Sequence, residues 1–229
     1  MKPSISLVVP MYNEEDNALR VVMSLDTGLQ SISSSYEIII VESGSTDNTK
    51  AIVDELGETY PCCRVFHQER KEGLGSAIRF GFSQSRNDLV LYMDGDEPFS
   101  VEEIKKALPL LGGVDAVLGY RVGERESFSR KLYSKGYNFL IRSLFGLRVK
   151  DVNFSFKLLK KRVVDSIELR SNGFFIDAEI IAEMKKNGFT WREMEVPYKI
   201  RQGGVSSVHV GPKMIGNMLK EMMKYIRRQ

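Results

Sequence analysis

Hydrophobic and polar positions along the first 120 residues switch repeatedly between short buried runs and helical periodicity. Ile5-Ser6-Leu7-Val8-Val9 reads as a strand closed by Pro10, and residues 36–41 read as a second, fully buried strand. Shorter strand patterns follow at 64–67, 88–93 and 116–119. Between them, Glu14-Glu15-Asp16 precedes an apolar-periodic segment, and residues 50–56 and 73–82 carry helical patterns. Ser100-Val101-Glu102-Glu103 reads as a capping box opening a helix that ends at Gly112-Gly113. This β-α-β-α order predicts an α/β fold, a mostly parallel sheet with helices on both faces.

After residue 120 the alternation stops. Residues 121–150 hold eight basic and two acidic residues around an apolar stretch at 137–145. A helix led by Phe174-Phe175-Ile176-Asp177-Ala178-Glu179 is closed by Gly188, and residues 190–196 form a strand pattern ended by Pro197. Residues 201–207 are a polar loop. A last helix, from Pro212, sets Met214, Ile215, Met218, Leu219, Met222, Met223 and Ile226 largely opposite Lys213, Lys220, Lys224, Arg227 and Arg228. A chain of 229 residues fits one sizeable domain.

The candidate chemistry sits where the 88–93 strand ends, in Asp94-Gly95-Asp96. Ligands of open α/β sheets bind beyond the carboxyl ends of strands, and Pro10, Glu42 and Asp94 would all open on that edge. Two carboxylates there can hold a hard divalent cation, and the glycine lets a ligand approach the backbone. The plain alternative is an Asp-Gly turn. Charge sharpens the picture: residues 1–100 carry 8 Lys/Arg against 16 Asp/Glu, the rest 25 against 14. An acidic half suits a metal, and a basic half suits an anionic partner. The two cysteines are adjacent, Cys62-Cys63, which fits neither a structural disulfide nor a zinc cluster and points to a reducing, cytoplasmic compartment. No apolar run reaches membrane-spanning length, and the first residues carry no signal-peptide pattern. His67 and His209 share no spacing with other ligands and read as structural.

Several segments in order resemble the family-2 glycosyltransferases of GT-A (Rossmann-like) fold, and among them the dolichol-phosphate mannosyltransferase and polyprenyl-phosphate glycosyltransferase group. They are Val9-Pro10-Met11-Tyr12-Asn13-Glu14, residues 39–49, Gly73-Leu74-Gly75-Ser76-Ala77, Met93-Asp94-Gly95-Asp96, Gly119-Tyr120-Arg121, residues 151–157, Glu195-Val196-Pro197 and residues 201–207. The resemblance implies a single domain over 1–229, with a nucleotide-sugar-binding half at 1–120. A basic, helix-rich acceptor and membrane-facing half follows at 121–229. It implies base and ribose contacts from Pro10, Tyr12, Glu14, Val41 and Ser43. Asp94, Gly95 and Asp96 match the family's Asp-x-Asp, with Asp94 and Asp96 binding Mg²⁺ or Mn²⁺. Asp96, Arg121 and Arg201 carry the reaction, the two arginines and Ser207 facing phosphates. The chain departs from the family at Ser43 in place of an aspartate, at Glu97-Pro98 after the Asp-x-Asp, and at Val205 and Ser207 in place of Glu and Lys.

The implied reaction is inverting, metal-dependent transfer of a hexose, mannose or glucose, from a GDP- or UDP-linked sugar to polyprenyl or dolichyl phosphate. It places the protein peripherally on the cytoplasmic face of a membrane, with a membrane-anchored partner protein and no nucleic acid. A lipid phosphate is already anionic near neutral pH and needs no general base; a hydroxyl acceptor would need a carboxylate, Glu179 being the first candidate. A catalytically inactive anion- or membrane-binding module on the same fold is the third reading. Arg121 has the alternative of a surface pair with Glu124 or Glu126, and Glu179 that of serving its helix dipole. The last helix fits either its own core or an anionic membrane interface.

Overall fold

The computed structural model describes residues 2–96, 99–123, 128–199 and 212–228. The first four strands, β1 (Ser4–Met11), β2 (Ser35–Glu42), β3 (Cys63–His67) and β4 (Leu89–Tyr92), alternate with α1 (Ala18–Ile32), α2 (Thr49–Thr59) and α3 (Leu74–Gln84). Then come α4 (Val101–Ala107) with a 3₁₀ turn at Leu108–Leu111, β5 (Ala116–Val122), α5 (Phe128–Phe145), β6 (Lys157–Lys160) and α6 (Lys161–Ser166). The chain continues through α7 (Ile176–Lys186), β7 (Trp191–Pro197) and α8 (Pro212–Ile226). The seven strands form one sheet in the order β3-β2-β1-β4-β6-β5-β7, parallel except where β6 runs antiparallel between β4 and β5.

Strand alternation sends consecutive residues to opposite faces. Ile5, Leu7, Val9, Ile38 and Ile40 pack with α1, α2 and α4, whereas Val8, Ile39, Val41, Val90 and Tyr92 pack with α3, α5, α6, α7 and α8. The expected α/β sheet covered on both faces is therefore present. Both faces of β1 and β2 are dry, which is why they read as unbroken apolar runs.

Pro10 does not close β1, which continues to Met11. Val8 O accepts from Met93 N on the β4 side, and Met11 O accepts from Ser43 N on the β2 side. Alternation puts Pro10 on the β4 side, beyond the end of β4, so its missing N–H costs no ladder bond. The expected capping box is also absent. Ser100 makes no side-chain cap bond, and Glu103 is buried with its carboxylate accepting from Lys106 Nζ at 2.8 Å. The helix it opens is one short turn longer only by way of the 3₁₀ segment.

The last helix docks on the protein's own core. Met218, Met222 and Tyr225 are buried, and the Tyr225 ring packs edge-on to Phe145 while its hydroxyl donates to Glu183 at 2.8 Å. Leu219, Met223 and Ile226 remain on its exposed side. No helix among the described residues is long and apolar enough to cross a membrane.

Candidate active site

The ends of β1, β2 and β4 meet as the strand pattern requires. Gly95 lies directly on the end of β1: a Cβ there would meet Pro10 O at 3.1 Å and Glu14 Cγ at 3.2 Å. The glycine thus also fits on its protein side, where a side chain would make the Asp-Gly-Asp turn and the β1 loop give by a few tenths of an ångström. Asp94 and Asp96 flank it, both partly buried. Burial, then the neighbouring Asp96 and Asp177 carboxylates, push the Asp94 carboxyl up to about 7 against the opposing effect of Ser155 and Lys157. Like charges held this close are costly without a counter-charge, and oxygen donors in that arrangement suit Mg²⁺ or Mn²⁺. Among the described residues no group of three His, Cys, Asp or Glu converges on one ion position. Asp94 and Asp96 would therefore share a cation with water and ligand oxygens.

Arg121, at the end of β5 on the same sheet edge, is influenced by the Asp94 charge. It forms half of a fork. Its Nε and Nη2 donate to Asp151 at 2.7 and 3.0 Å, and the guanidinium lies 5.4 Å from the Phe154 ring centroid. Glu124 and Glu126, the surface partners considered above, lie outside the described residues. Behind Asp94 is a buried polar group: Tyr92 Oη and Lys157 Nζ both donate to Asp177 Oδ1, the lysine at 2.5 Å, and Lys157 also donates to Phe154 O.

The β1 and β2 loops are stapled together. Thr46 N donates to Asn13 Oδ1 at 2.9 Å, Glu14 N to Thr49 Oγ1 at 2.8 Å and Asn48 N to Glu15 Oε2 at 2.9 Å. Asn13 adopts a left-handed φ of 54° to do so. Of the expected base and ribose residues, Val41 is fully buried, side chain and backbone alike. Glu14 is buried with Oε2 accepting from Asn17 Nδ2 at 2.8 Å. The Ser43 hydroxyl donates to Gln68 Oε1 at 2.9 Å. Tyr12 carries the Lys71 ammonium 3.5 Å from its ring centroid. Arg201 and Ser207 lie outside the described residues, as do Glu97, Pro98, Val205 and His209.

Glu179 is engaged by the backbone. Its carboxylate accepts from Arg170 N and Ser171 N at 3.1 and 2.8 Å, fixing the loop before α7. Gly73, with φ 107°, has Asn172 O only 2.2 Å from its Cβ position, and Asn172 O accepts from Gly75 N. The Gly73-Leu74-Gly75 turn thus packs on the 171–173 loop.

His67, read as structural, bridges Glu42 at 3.0 Å and Asp54 at 2.7 Å. Glu42 in turn accepts from Ser45 N at 2.5 Å, so the pair anchors the β2 loop. Partial burial lowers the His67 pKa, but the two carboxylates outweigh it and raise the value above 6.5. Burial raises Glu42, but the His67 and Ser45 hydrogen bonds outweigh it and hold the value below 4.5. The His67 contribution is complete below pH 6.5 and fades as pH rises through the raised value. The Glu42 contribution is complete above pH 4.5 and fades as pH falls through the lowered one. Wild type should therefore exceed His67→Gln in stability most between those limits, by up to about 1 kcal/mol because the ring and Asp54 are partly exposed. Urea unfolding at pH 5.5 and pH 9 checks this. An equal difference at both would show that the bridge carries no charge.

The model of glycosyl transferase family 2 matches residues 6–168. The chain belongs to that family. Across nearly all of its length this family-2 glycosyltransferase is 33% identical to a dolichol-phosphate mannosyltransferase of Pyrococcus furiosus, over 234 residues covering 98% of this chain and 63% of the relative. A polyprenol monophosphomannose synthase of Mycolicibacterium smegmatis is 28% identical, covering 95% of this chain and 83% of the relative. The chain thus spans less than two thirds of the archaeal relative's length. Glucosyl-3-phosphoglycerate synthase of Mycobacterium tuberculosis, solved with UDP, superposes with a TM-score of 0.71 at 18% identity, covering 95% of this chain and 79% of that one. The same enzyme solved with Mn²⁺ and UDP-glucose gives 0.70 at 19% identity, covering 96% and 77%. These two share the fold.

Proposed function

We propose that this family-2 glycosyltransferase moves a hexose from a nucleotide diphosphate sugar to polyprenyl phosphate, with inversion and with a divalent cation at Asp94 and Asp96. The observation that carries the reading is the layout of one sheet edge: β4 and β5, both antiparallel to the β6 strand between them, end on the same side, one in a paired-carboxylate turn and the other in a guanidinium pre-oriented by Asp151. The names of the two relatives supply the acceptor class, and they favour mannose as the sugar.

Departure of a nucleoside diphosphate builds negative charge on the leaving oxygen. A bound Mg²⁺ or Mn²⁺ would supply Lewis-acid stabilisation of that charge. Arg121, held flat by Asp151 and its aromatic neighbours, offers phosphate a fork that needs no reorganisation during reaction. Arg201 and Ser207 belong to the same phosphate-facing set, and Pro10, Tyr12, Glu14, Val41 and Ser43 to the base and ribose groove. The nucleophile is an anionic phosphate oxygen, so no proton must be removed. That agrees with the engagement of Glu179 by backbone amides and of Asp177 by Tyr92 and Lys157. A hydroxyl acceptor would require a carboxylate base, and both of these carboxylates already accept hydrogen bonds within the protein.

Membrane contact belongs to this reading. The outer stripe of α8 (Leu219, Met223, Ile226) lies among Lys220, Lys224 and Arg227, and α5 exposes Phe139 and Leu144. Apolar side chains flanked by cations suit an anionic leaflet. The cytoplasmic face of a membrane is the expected location.

The test is transfer of label from a panel of GDP- and UDP-sugars to polyprenyl phosphate with Mn²⁺ or Mg²⁺. Metal-dependent label in the lipid fraction is expected, and the active donor names the base and sugar. Label on a glycan and none on lipid would move the acceptor to a hydroxyl; no transfer to either, with no nucleotide-sugar binding, would leave an inactive module.

A further inference from the structure

The buried ammonium of Lys157 has no counterpart in the chemistry above. Lys157 is 1% exposed on β6, which runs antiparallel to both its neighbours, and lies in the 151–157 stretch that also supplies Asp151. A lysine is almost never so buried unless paired. Its neighbours are Phe154 O and Asp177 Oδ1, each at 2.5 Å. Tyr92, two residues before Asp94, donates to the same Asp177 oxygen. Positions two apart leaving a strand face the same layer, so Asp94 turns towards the side on which Lys157 and Asp177 sit. The Asp94 carboxyl feels both charges. Two carboxylates therefore compete for one ammonium, and Asp177 holds it.

We propose that Asp177 is a positioning residue that keeps the Lys157 ammonium off Asp94, reserving the Asp94–Asp96 pair for a divalent cation. This rests on reading Asp94 and Asp96 as the cation ligands. Asp177 is not a third ligand, since no three acidic, His or Cys side chains among the described residues converge on one ion position. Two donors already fill Oδ1, and Asp177 lies in the first turn of α7. With Asp177 neutralised, the ammonium loses its anionic partner while Asp94 still feels its charge, and an ammonium drawn onto Asp94 displaces a cation by occupying its ligand.

Mn²⁺ titration of the full chain, read by the electron paramagnetic resonance signal of free Mn²⁺, tests this without any turnover. Asp177→Asn should weaken Mn²⁺ binding at least about tenfold, the scale on which supporting residues act on metal sites. Lys157→Met should bind Mn²⁺ at least as well as wild type, because the competing cation is gone. The double variant D177N/K157M should return to within about threefold of wild type. Each single variant leaves one buried charge without its partner, so a merely structural pair would weaken binding in both alike. Equal weakening in the two, wild-type affinity in D177N, or a double variant as weak as D177N overturns the proposal. If D177N does not fold, K157M decides: weaker binding than wild type overturns it. A wild-type chain that binds no Mn²⁺ overturns the cation reading itself, a different failure from wild-type binding that D177N leaves intact.

Discussion

Asp96→Ala should lower sugar transfer by roughly a thousandfold and leave the fold intact. The activity loss follows from the leaving group. A cation shared with a departing diphosphate is worth several kcal/mol of transition-state charge stabilisation, and each 1.36 kcal/mol is tenfold in rate. The stability half of the expectation has the opposite sign from most buried-site substitutions. Without a cation, Asp96 is a like charge beside Asp94 that raises the Asp94 carboxyl, so its removal relieves repulsion. Thermal unfolding should show the variant equal to or above wild type in metal-free buffer. Added Mn²⁺ should raise the wild-type midpoint and not the variant's, since only a state that binds the ion is stabilised by it. Retained transfer, or an equal Mn²⁺ shift in both proteins, would remove Asp96 from the cation site.

Much of this was legible in the chain because the relevant strands are buried on both sides. Ile38, Ile39, Ile40 and Val41 are all fully buried, and such a run has few structures other than a central parallel strand. Three such strands in βαβ order leave their ends together, so Asp94, Pro10 and Glu42 meet without any special local signal. The strand β6 was not legible. Its Lys157-Leu158-Leu159-Lys160 is short and begins with a lysine, a residue type that argues for exposure. Only the tertiary partners Asp177 and Phe154 O reverse that preference. Helix α5 was likewise noticed only as a basic stretch around an apolar run, since Gly136 and scattered charges blur its period.

Within the site, sequence could narrow but not choose. Asp177 and Glu179 both sit in the first turn of α7, where either would suit the helix dipole. Two positions turn a helix by about 200°, so one of them faces Tyr92 and Lys157 while the other faces the 170–171 amides. Which is which depends on how α7 is rotated against β4 and β6, and that is set by packing. The Arg121 partner was missed for a related reason. Glu124 and Glu126 are near in sequence, but a strand carries Arg121 alongside the 151–157 stretch, and the bidentate carboxylate comes from Asp151.

That partner makes Arg121 the more demanding test. Asp151 has a side chain only 3% exposed, and Arg121 one 23% exposed. Removing one member of a buried pair leaves an uncompensated charge, at roughly 3–5 kcal/mol when both are fully buried. For this half-open pair Arg121→Ala should cost about 2–3 kcal/mol in urea unfolding, and about 10²–10³ in transfer rate through loss of a preorganised donor to the departing phosphates. The two effects can be separated. In the double variant R121A/D151N the buried charge is gone, so stability should recover most of the loss while transfer stays low. Arg121→Lys keeps a cation but not the planar fork that spans Asp151 and phosphate; it should recover little of either. If R121A/D151N regains transfer together with stability, Arg121 acts only by fixing the 151–157 stretch. Then the phosphate-facing role would pass to Arg201.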